Sequence, residues 1–564
     1  MSTARADVLD PGPVDIPDRF GWRHNRWLRG LAAVLAGAVT GLAWQPYGLW
    51  PLLLIGVPAL TLLVRDGDTT RPRRSAFGVG YLYGLGLLGV SISWIHVLGS
   101  WVAVLLIAFE ALFLGLLGLL LHLTSALRWW PLAAALCWSL IEFLYSRMPF
   151  GGFGWVRLAY AAVDTPLAGF LPLIGVAGVS FLVAAVAQTV AYAVQLTLHR
   201  TAGLTRRLIP LGVGLLVLVL LGVGVRAVPL SAPPADGSVR VGIVQGNVPG
   251  KGIEALGRAR SVTNNHLSET VNLMVKARLG LVPMPDFILW PENSTDIDPT
   301  LDPTTGRTVQ AAATIAGRPI LVGAVMEGPG VDERQTAALW WDPVAGILAR
   351  YNKQNLVPFG EWIPFRTQLL PLVPILAEVG AQSVPGTSPG VLTVPLNGRT
   401  IKVGDIICFE LAYDSTIYST LANGAQVLVV QSNNATYGGT GQIEQQFAIT
   451  RARAMESRRE IAVATTNSVS GFIDADGRVV RRTTEFTAAS LVVDMPLRSG
   501  LTPAVVVAPW LDRGLALGGL LAVVLGLAAL AGRARGRTAT ARVRQDESSW
   551  PAGQGSPDPE AAGR

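Results

Sequence analysis

Three short segments of this 564-residue chain carry residues suited to covalent and acid–base chemistry. Residues 287–294 place Glu292 directly after an apolar run that ends in Trp-Pro. Residues 351–366 contain Lys353, one of the few lysines in a chain that otherwise uses arginine, and residues 404–413 contain Cys408 at the end of a β-branched run. A thiol can serve as nucleophile, a carboxylate as general base, and a lysine as a compact cation with a tunable pKa.

Other catalytic arrangements lack the residues that they need. The chain has five histidines, and only His266 lies between residues 238 and 498. That region has no P-loop or G-x-G-x-x-G motif, and too few His and Cys residues for a zinc site. Each candidate also has a bland interpretation: Cys408 as a small buried residue, Glu292 as a loop carboxylate or helix cap, and Lys353 as a surface lysine. Taken singly, the residues leave these interpretations open.

The scaffold predicted for the candidates is an α/β domain over residues 238–498. Helical stretches such as Ile443–Arg459 alternate there with short β-rich runs. The predicted strands are Val239–Gln245, Phe287–Trp290, Ile320–Val325, Ile401–Cys408, Ala425–Gln431 and Ile461–Thr466. Glu292 and Cys408 both come at predicted strand ends, which is a usual location for catalytic groups in α/β folds.

The composition and the apolar runs of the rest of the chain indicate a membrane protein. Hydrophobic residues make up 50% of it and charged residues only 15%, against about 25% charge in a typical soluble domain. Runs long enough to cross a bilayer lie near residues 28–45, 48–64, 76–96, 100–121, 129–146, 168–196, 208–226 and 510–531. We therefore expect a cytoplasmic segment over 1–26, a seven-helix transmembrane region over 27–229, an eighth transmembrane helix over 508–532, and a disordered cytoplasmic tail over 533–564.

Arginine marks one side of this predicted bundle. If the spans alternate, one set of loops holds Arg19, Arg23, Arg26, Arg29, Arg65, Arg71, Arg73, Arg74, Arg128, Arg200, Arg206, Arg207, Arg533, Arg535 and Arg537. The opposite loops hold little besides Arg147 and Arg157. The arginine-rich side should be cytoplasmic, which places residues 238–498 outside the cytoplasm. Membrane topology accounts for the net charge of +7, because much of the arginine lies in the loops beside the spans. We therefore expect no nucleic-acid partner.

Together, the three segments resemble the nitrilase superfamily. Trp290–Glu292, Tyr351–Lys353 and Ile407–Glu410 match its Glu, Lys and Cys blocks in order, and the likeness continues through Ser432–Ala435 and the following helix Gln445–Arg459. The longer block from Lys353 to Pro364 is similar to that of the apolipoprotein N-acyltransferase branch. That branch also has seven spans before the domain and one after it.

The resemblance implies a multi-span α-helical membrane bundle plus an α/β nitrilase-type domain, an α-β-β-α sandwich on the extracytoplasmic side. It implies Glu292, Lys353 and Cys408 as catalytic residues and assigns supporting or substrate-binding positions to Glu361, Glu410, Tyr437 and Trp362. The implied reaction moves a fatty acyl chain from a membrane phospholipid, through a cysteine thioester, to the α-amine of diacylated apolipoproteins in a bacterial plasma membrane, with no cofactor or metal. The family often has aromatic residues where this chain has Thr436 and Tyr437, a difference that bears on substrate preference.

Two alternatives remain open from the sequence. A membrane-tethered amidase or nitrilase-type hydrolase would use the same three residues with water as acceptor, and a degenerate paralogue would bind lipoproteins without acylating them. Lipid access is a separate expectation: Trp362, Leu369–Ile375 and Phe150–Tyr160, with Trp155 and Tyr160, are candidates for a membrane-facing entrance, with ordinary loop packing as the alternative. Glu110 and Glu142 lie within predicted spans, where a carboxylate suggests a function, although Glu142 is close to a span end.

Overall fold

The computed structural model describes residues 25–65, 72–199, 203–227, 232–248 and 260–548. The predicted cytoplasmic segment 1–26 therefore lies almost wholly outside the described residues, as do Arg19, Arg23, Arg71 and Arg200. Residues 549–564 of the predicted tail lie outside them as well. The described chain forms an apolar helical bundle joined to an α/β domain.

A helix occupies each of the eight apolar runs. Their bounds are α1 Arg26–Gly41, α2 Leu53–Arg65, α3 Pro72–Ser91, α4 Ser100–Thr124, α5 Trp130–Tyr145, α7 Leu171–Leu198, α8 Leu204–Ala227 and α14 Pro503–Ser548, with the short α6 at Leu158–Ala161. Among the described residues, four segments are long and apolar enough to cross a membrane: Ser100–Thr124, Pro166–Leu198, Leu204–Ala227 and Pro503–Arg535. Helices α1, α2 and α5 have 16, 13 and 16 residues, which at about 1.5 Å per residue falls short of a bilayer core about 30 Å thick. A helical membrane part is present, and the count of eight spans stays a prediction.

The C-terminal helix is longer than predicted. Helix α14 continues to Ser548, so the structure differs from the expected disordered tail over residues 533–548. This stretch is rich in alanine and arginine, which favour helix more strongly than its one glycine, Gly536, disfavours it.

Close helix contacts in the bundle depend on small residues. A Cβ atom on Gly80 of α3 would lie 2.2 Å from the Leu114 carbonyl oxygen, and one on Gly118 of α4 would lie 2.3 Å from that of Ala76. Such contacts let helix backbones approach each other in a membrane. Helix α8 is different, because Gly222 is its only buried residue and many of its apolar side chains, such as Leu216 and Leu220, are exposed. That surface suits a helix in contact with lipid.

Two β-sheets form the centre of the α/β domain. The first contains β1 Ala235–Gln245, β2 Phe287–Leu289, β3 Ile320–Glu327, β4 Glu333–Asp342, β5 Gly346–Asn352, β6 Gln382–Ser383 and β13 Ala489–Arg498, in the order β13-β1-β2-β3-β4-β5 with β6 on β4. The second contains β7 Val391–Leu396, β8 Arg399–Ile407, β9 Val427–Ser432, β10 Ile461–Thr465, β11 Gly471–Ile473 and β12 Val479–Arg482, in the order β12-β11-β10-β9-β8-β7. Each of the six predicted strands overlaps one of these strands, so those predictions are confirmed.

The sheets pack face to face between two layers of helices. Phe287 and Tyr351 of the first sheet share a buried core with Val403 and Val429 of the second. Helices α9 Ser261–Arg278 and α10 Pro303–Ala316 cover the outer face of the first sheet, and the short helix α11, Arg366–Leu369, follows strand β5 in the chain. Helices α12 Asp414–Ala422 and α13 Gly441–Ser457 cover the second, and their buried side chains join the core of the bundle. The domain is thus the expected α-β-β-α sandwich, and α13 corresponds to the predicted helix Ile443–Arg459.

Strand direction brings the candidate residues to one edge. Strands β1, β2 and β3 are parallel, and β5 shares their direction because β3 and β5 both pair antiparallel with β4. Strands β8, β9 and β10 are parallel in the second sheet. Glu292 and Lys353 follow strands of the first sheet, whereas Cys408 and Asn433 follow strands of the second.

Candidate active site

Lys353 lies at the centre of the site. Its side chain is 1% exposed, and its Nζ donates to Glu292 Oε1 and to Glu361 Oε1, at 2.9 Å each. Burial alone would lower the pKa of Lys353, but the adjacent Glu292 and Glu361 carboxylates outweigh this effect and raise the pKa well above its ordinary value. Lys353 is therefore a fixed, buried cation.

The backbone orients both carboxylates that bind Lys353. Glu292 Oε2 accepts a hydrogen bond from the Asn433 amide at 2.8 Å, and Glu361 Oε2 accepts one from the Val357 amide at 2.7 Å. An ionised carboxylate has about four lone-pair positions. Glu292 is thus held firmly while keeping acceptor capacity for a proton.

Cys408 follows β8 directly and has a φ of 55°. This left-handed conformation is uncommon for a residue other than glycine, and it occurs where the surrounding structure holds a side chain in a required place. Burial, with a further contribution from the charge of Glu292, raises the pKa of the Cys408 thiol to about 12, against the opposing effects of Lys353 and of a hydrogen bond with Ser432. At neutral pH the thiol is protonated and needs a base to become a nucleophile.

Glu410 joins the loop of the cysteine to the loop of the lysine. Its Oε2 accepts from the Ile407 amide at 2.9 Å, and its Oε1 accepts from the amides of Gln354 at 2.7 Å and Asn355 at 3.1 Å. The Tyr351 hydroxyl donates to both oxygens, at 2.8 and 3.0 Å. Glu410 is fully buried and lies behind the reacting groups, where it fixes the backbone on either side of them.

Tyr437 and Trp362, the two predicted aromatic residues, lie in different places. Tyr437 is within electrostatic range of Cys408, Glu361 and Lys353 and is half-buried. Trp362 lies on a loop outside this cluster and packs edge-on against Phe150 of the bundle, with ring centroids 6.1 Å apart. The structure therefore brings six of the seven predicted residues together and places Trp362 at their periphery.

The arrangement suits acyl transfer through a thiol. It combines a protonated thiol, an oriented carboxylate and a buried cation, which are the parts needed for nucleophilic attack and for stabilising an oxyanion. Among the described residues, no group of three or more His, Cys, Asp or Glu side chains is placed to hold a metal ion.

Comparison with known proteins matches both parts of the chain. Residues 36–189 match the family model for the apolipoprotein N-acyltransferase N-terminal domain, and residues 240–500 match the model for carbon-nitrogen hydrolase. An apolipoprotein N-acyltransferase of Mycolicibacterium smegmatis is 32% identical over 532 residues, covering 90% of this chain and 88% of that protein. The chain belongs to the apolipoprotein N-acyltransferase family. Its relatives include the enzymes named so from Pseudomonas aeruginosa, at 30% identity over 89% of this chain and 96% of theirs, and from Vibrio cholerae, at 27% over 85% and 93%.

The family assignment supports acyl transfer over the hydrolase alternative. The protein is an acyltransferase, because its relatives match both the bundle and the α/β domain, whereas a hydrolase would account for the second match alone. A solved nitrilase-superfamily amidase from Nesterenkonia AN1 covers 50% of this chain and 99% of its own, with a TM-score of 0.37 and 16% identity.

Sequence reasoning did not find the residues by which this acyltransferase joins its two parts. Gln445 of α13 bonds to four groups of the bundle, and Asp414 pairs with Arg157 at 2.8 Å and Arg453 at 2.7 Å. Each contact links positions far apart in the chain, so no local sequence pattern predicts it. The one signal available was Arg157, an arginine on the side of the bundle otherwise almost free of arginine.

The two carboxylates noted in the predicted spans also occupy different places. Glu142 lies at the junction between the bundle and the α/β domain. Its carboxylate accepts a hydrogen bond from the Leu158 amide at 2.8 Å and pairs with Arg157 at 3.5 Å. Glu110 instead lines a small cavity inside the bundle, between Trp138 and Tyr145 among other residues. None of the residues that line this cavity belongs to the catalytic cluster.

Proposed function

We propose that this protein moves a fatty acyl chain from a membrane phospholipid to the α-amine of the diacylglyceryl-cysteine of a lipoprotein, with Cys408 as the acyl carrier. The observation that carries the proposal is the placement of Lys353 as a buried cation between Glu292 and Glu361, beside a thiol that needs a base. The names of the relatives support the lipoprotein as substrate.

The first half-reaction acylates the enzyme. Glu292 takes the proton of Cys408, and the thiolate attacks the ester carbonyl of the phospholipid. Negative charge develops on the carbonyl oxygen, where the fixed ammonium of Lys353 stabilises it. The C–O bond then breaks, Glu292 returns the proton to the leaving alcohol, and a lysophospholipid departs from the thioester.

The second half-reaction uses the same groups in the same order. The neutral α-amine attacks the thioester carbonyl, and Lys353 again faces the oxyanion. Glu292 accepts a proton from the amine as the C–S bond breaks and delivers one to the departing thiolate of Cys408. The products are an N-acylated lipoprotein and the free thiol, so the enzyme is ready for another phospholipid.

An aromatic cluster at the junction marks the proposed entrance for the lipid substrate. Phe150 of the bundle packs against Phe359, Trp362 and Phe365 of the loop after Lys353, with ring centroids 5.9–6.3 Å apart. Phe365 is 66% exposed and Leu372, further along that loop, 76%. Large exposed apolar side chains at the junction with a membrane bundle suit contact with acyl chains. Of the other residues suggested for this entrance, Trp155 and Tyr160 are buried at the junction instead.

We further propose that the catalytic domain lies outside the cytoplasm. The ends of the bundle support this orientation. Arg65 bonds to the Ser125 carbonyl and Arg533 to the Ala126 carbonyl, which places these arginines at one end. The α/β domain contacts the other end, for example through Gln445 and the Gln45 carbonyl. Arginine-rich ends face the cytoplasm.

Mass spectrometry of lipoprotein N-termini tests the proposed function. Bacteria that carry this protein as their only such enzyme should contain lipoproteins with an acyl group on the N-terminal amine, and cells with Cys408→Ala should contain diacylated forms with a free amine. Purified protein supplied with phospholipid and a diacylated peptide should give the N-acyl peptide. Release of free fatty acid in place of N-acyl peptide would favour the hydrolase, and no reaction would favour the binding protein.

A further inference from the structure

Gln445 has its side chain fully hydrogen-bonded at the junction between α13 and the bundle. Its Oε1 accepts from the indole N–H groups of Trp94 and Trp155, both at 2.9 Å. Its Nε2 donates to the carbonyl oxygens of Gln45 at 2.7 Å and Ser91 at 2.6 Å. A primary amide has two N–H donors and two lone pairs on its oxygen. All of this capacity is used, and every partner belongs to the bundle.

Both indoles held by Gln445 contact residues beside the nucleophile. Trp94 packs edge-on against Tyr437, with ring centroids 5.3 Å apart. Trp155 stacks on Phe409, the residue after the catalytic cysteine, with centroids 5.8 Å apart and rings inclined by 15°. The two indoles also pack edge-on against each other, with ring centroids 6.0 Å apart. Two short chains of contact therefore lead from one amide to Tyr437 and Phe409, two residues near the thiol.

We propose that Gln445 is a positioning residue which, through Trp94 and Trp155, sets the aromatic walls around the acylated Cys408 and so keeps water from the thioester. This inference rests on the proposed function, since it concerns the fate of the thioester. Excluding water from a reactive intermediate is a recognised role of a closed site. Because the indoles belong to the bundle, the bundle supplies part of the catalytic site as well as the membrane anchor.

Other contacts hold the α/β domain on the bundle without Gln445. Arg453 pairs with Glu456 at 2.7 Å and with Asp414 at 2.7 Å. Asp414 also pairs with Arg157 of the bundle, and Glu456 accepts the Val176 amide of α7 at 2.9 Å. The last two of these bonds cross the same junction, and Arg453 holds both of the carboxylates that make them. Loss of the Gln445 bonds should therefore loosen the aromatic walls without detaching the domain.

The partition of the acyl-enzyme between amine and water tests this inference. Full-length protein in lipid nanodiscs is loaded with a labelled acyl chain from phospholipid and then given a diacylated peptide. Attack by the amine yields the N-acyl peptide; attack by water breaks the C–S bond to yield free fatty acid and the thiol. The ratio of these products is measured per acyl-enzyme, so it does not depend on how much protein is folded.

Two variants and one control define the expected result. Gln445→Glu keeps the shape and the acceptor oxygens but cannot donate to the two carbonyls, and Trp94→Phe removes only one indole N–H and part of one ring. Both should raise the ratio of fatty acid to peptide product by about tenfold, because the walls open to water. Glu444→Gln, the neighbouring position that pairs with Arg482 on the exposed face, should leave the ratio unchanged.

A double-mutant comparison separates positioning from general disturbance. If Trp94 acts through Tyr437, then Trp94→Phe should change the ratio little in a Tyr437→Ala background. Wild-type partition in Trp94→Phe, or an undiminished effect of Trp94→Phe in that background, would overturn the proposal even if Gln445→Glu failed to fold. A wild-type protein that formed no thioester would be a distinct result, refuting the proposed function and this inference with it.

Discussion

Glu410→Gln should impair catalysis although position 410 touches no reacting atom. The carboxylate accepts backbone hydrogen bonds from Ile407 on one oxygen and from Gln354 and Asn355 on the other. A glutamine amide replaces one oxygen with an NH₂ group. In either orientation of the glutamine amide, its NH₂ group faces at least one of these backbone N–H groups. That backbone N–H then meets a donor where it had an acceptor.

The magnitude follows from this count. Each buried donor left without a partner costs about 1–3 kcal/mol, and the backbone can relieve the cost only by moving. Movement would displace Cys408 or Lys353, and a misplacement of about 1 Å can reduce a rate roughly 100-fold. We therefore expect kcat to fall roughly 10- to 100-fold, together with a loss of about 2–3 kcal/mol in the free energy of unfolding.

Tyr351→Phe is the matched control for this prediction. It removes the hydroxyl that donates to both oxygens of Glu410 but leaves every backbone N–H with its acceptor. Its cost should be about 1 kcal/mol, with kcat close to that of the wild type. Acyl transfer to a diacylated peptide, normalised to thiol-titrated protein, measures kcat. Normal turnover in Glu410→Gln, or an equal loss in both variants, would refute the reasoning.

Three further predictions concern the catalytic set, the orientation and one buried acid. Glu292→Gln, Lys353→Met and Cys408→Ser should each abolish acyl transfer in folded protein, with double mutants little worse than single ones because the groups act as a unit; near-normal transfer in Lys353→Met would remove lysine from the mechanism. Single cysteines placed in residues 238–498 of a cysteine-free variant should react with an impermeant maleimide in intact cells, and labelling only after lysis would reverse the orientation. Burial, with a contribution from the charge of Glu410, raises the pKa of Asp405 well above its ordinary value, so the stability of the folded state falls as pH rises from about 4 towards that pKa. Asp405→Val should therefore have a higher Tm than the wild type by a margin that grows over this range, and a margin independent of pH would contradict this.

The sequence predicted the parts of the site that depend on local pattern. Glu292 and Cys408 each follow a short apolar run, and such runs become buried strands whose ends lie at one edge of a sheet. The rarity of lysine in the chain singled out Lys353. These three signals are confined to a few residues each, so they can be read without knowledge of the fold, and the α-β-β-α sandwich follows from the resemblance that they establish.

The remaining features depend on contacts between distant residues. Gln445 bonds to a carbonyl 400 positions away in the sequence, and nothing near it marks it as different from Gln442 or Gln446. Glu410 was predicted to support the site, but its four donors could be identified only once two loops were brought together. The lengths of the helices could not be predicted from the apolar runs either. The run near 48–64 forms a turn at Trp50–Leu52 and a helix of only 13 residues.

Detection of an acyl group on Cys408 tests the central claim most directly. Purified full-length protein given phospholipid and no acceptor should gain the mass of one fatty acyl chain on Cys408. The adduct should be cleaved by neutral hydroxylamine, be absent from Cys408→Ser, and pass to the amine of a diacylated peptide when one is added. Rapid loss as free fatty acid in water alone, or no adduct in folded protein whose Cys408 still alkylates, would contradict the account.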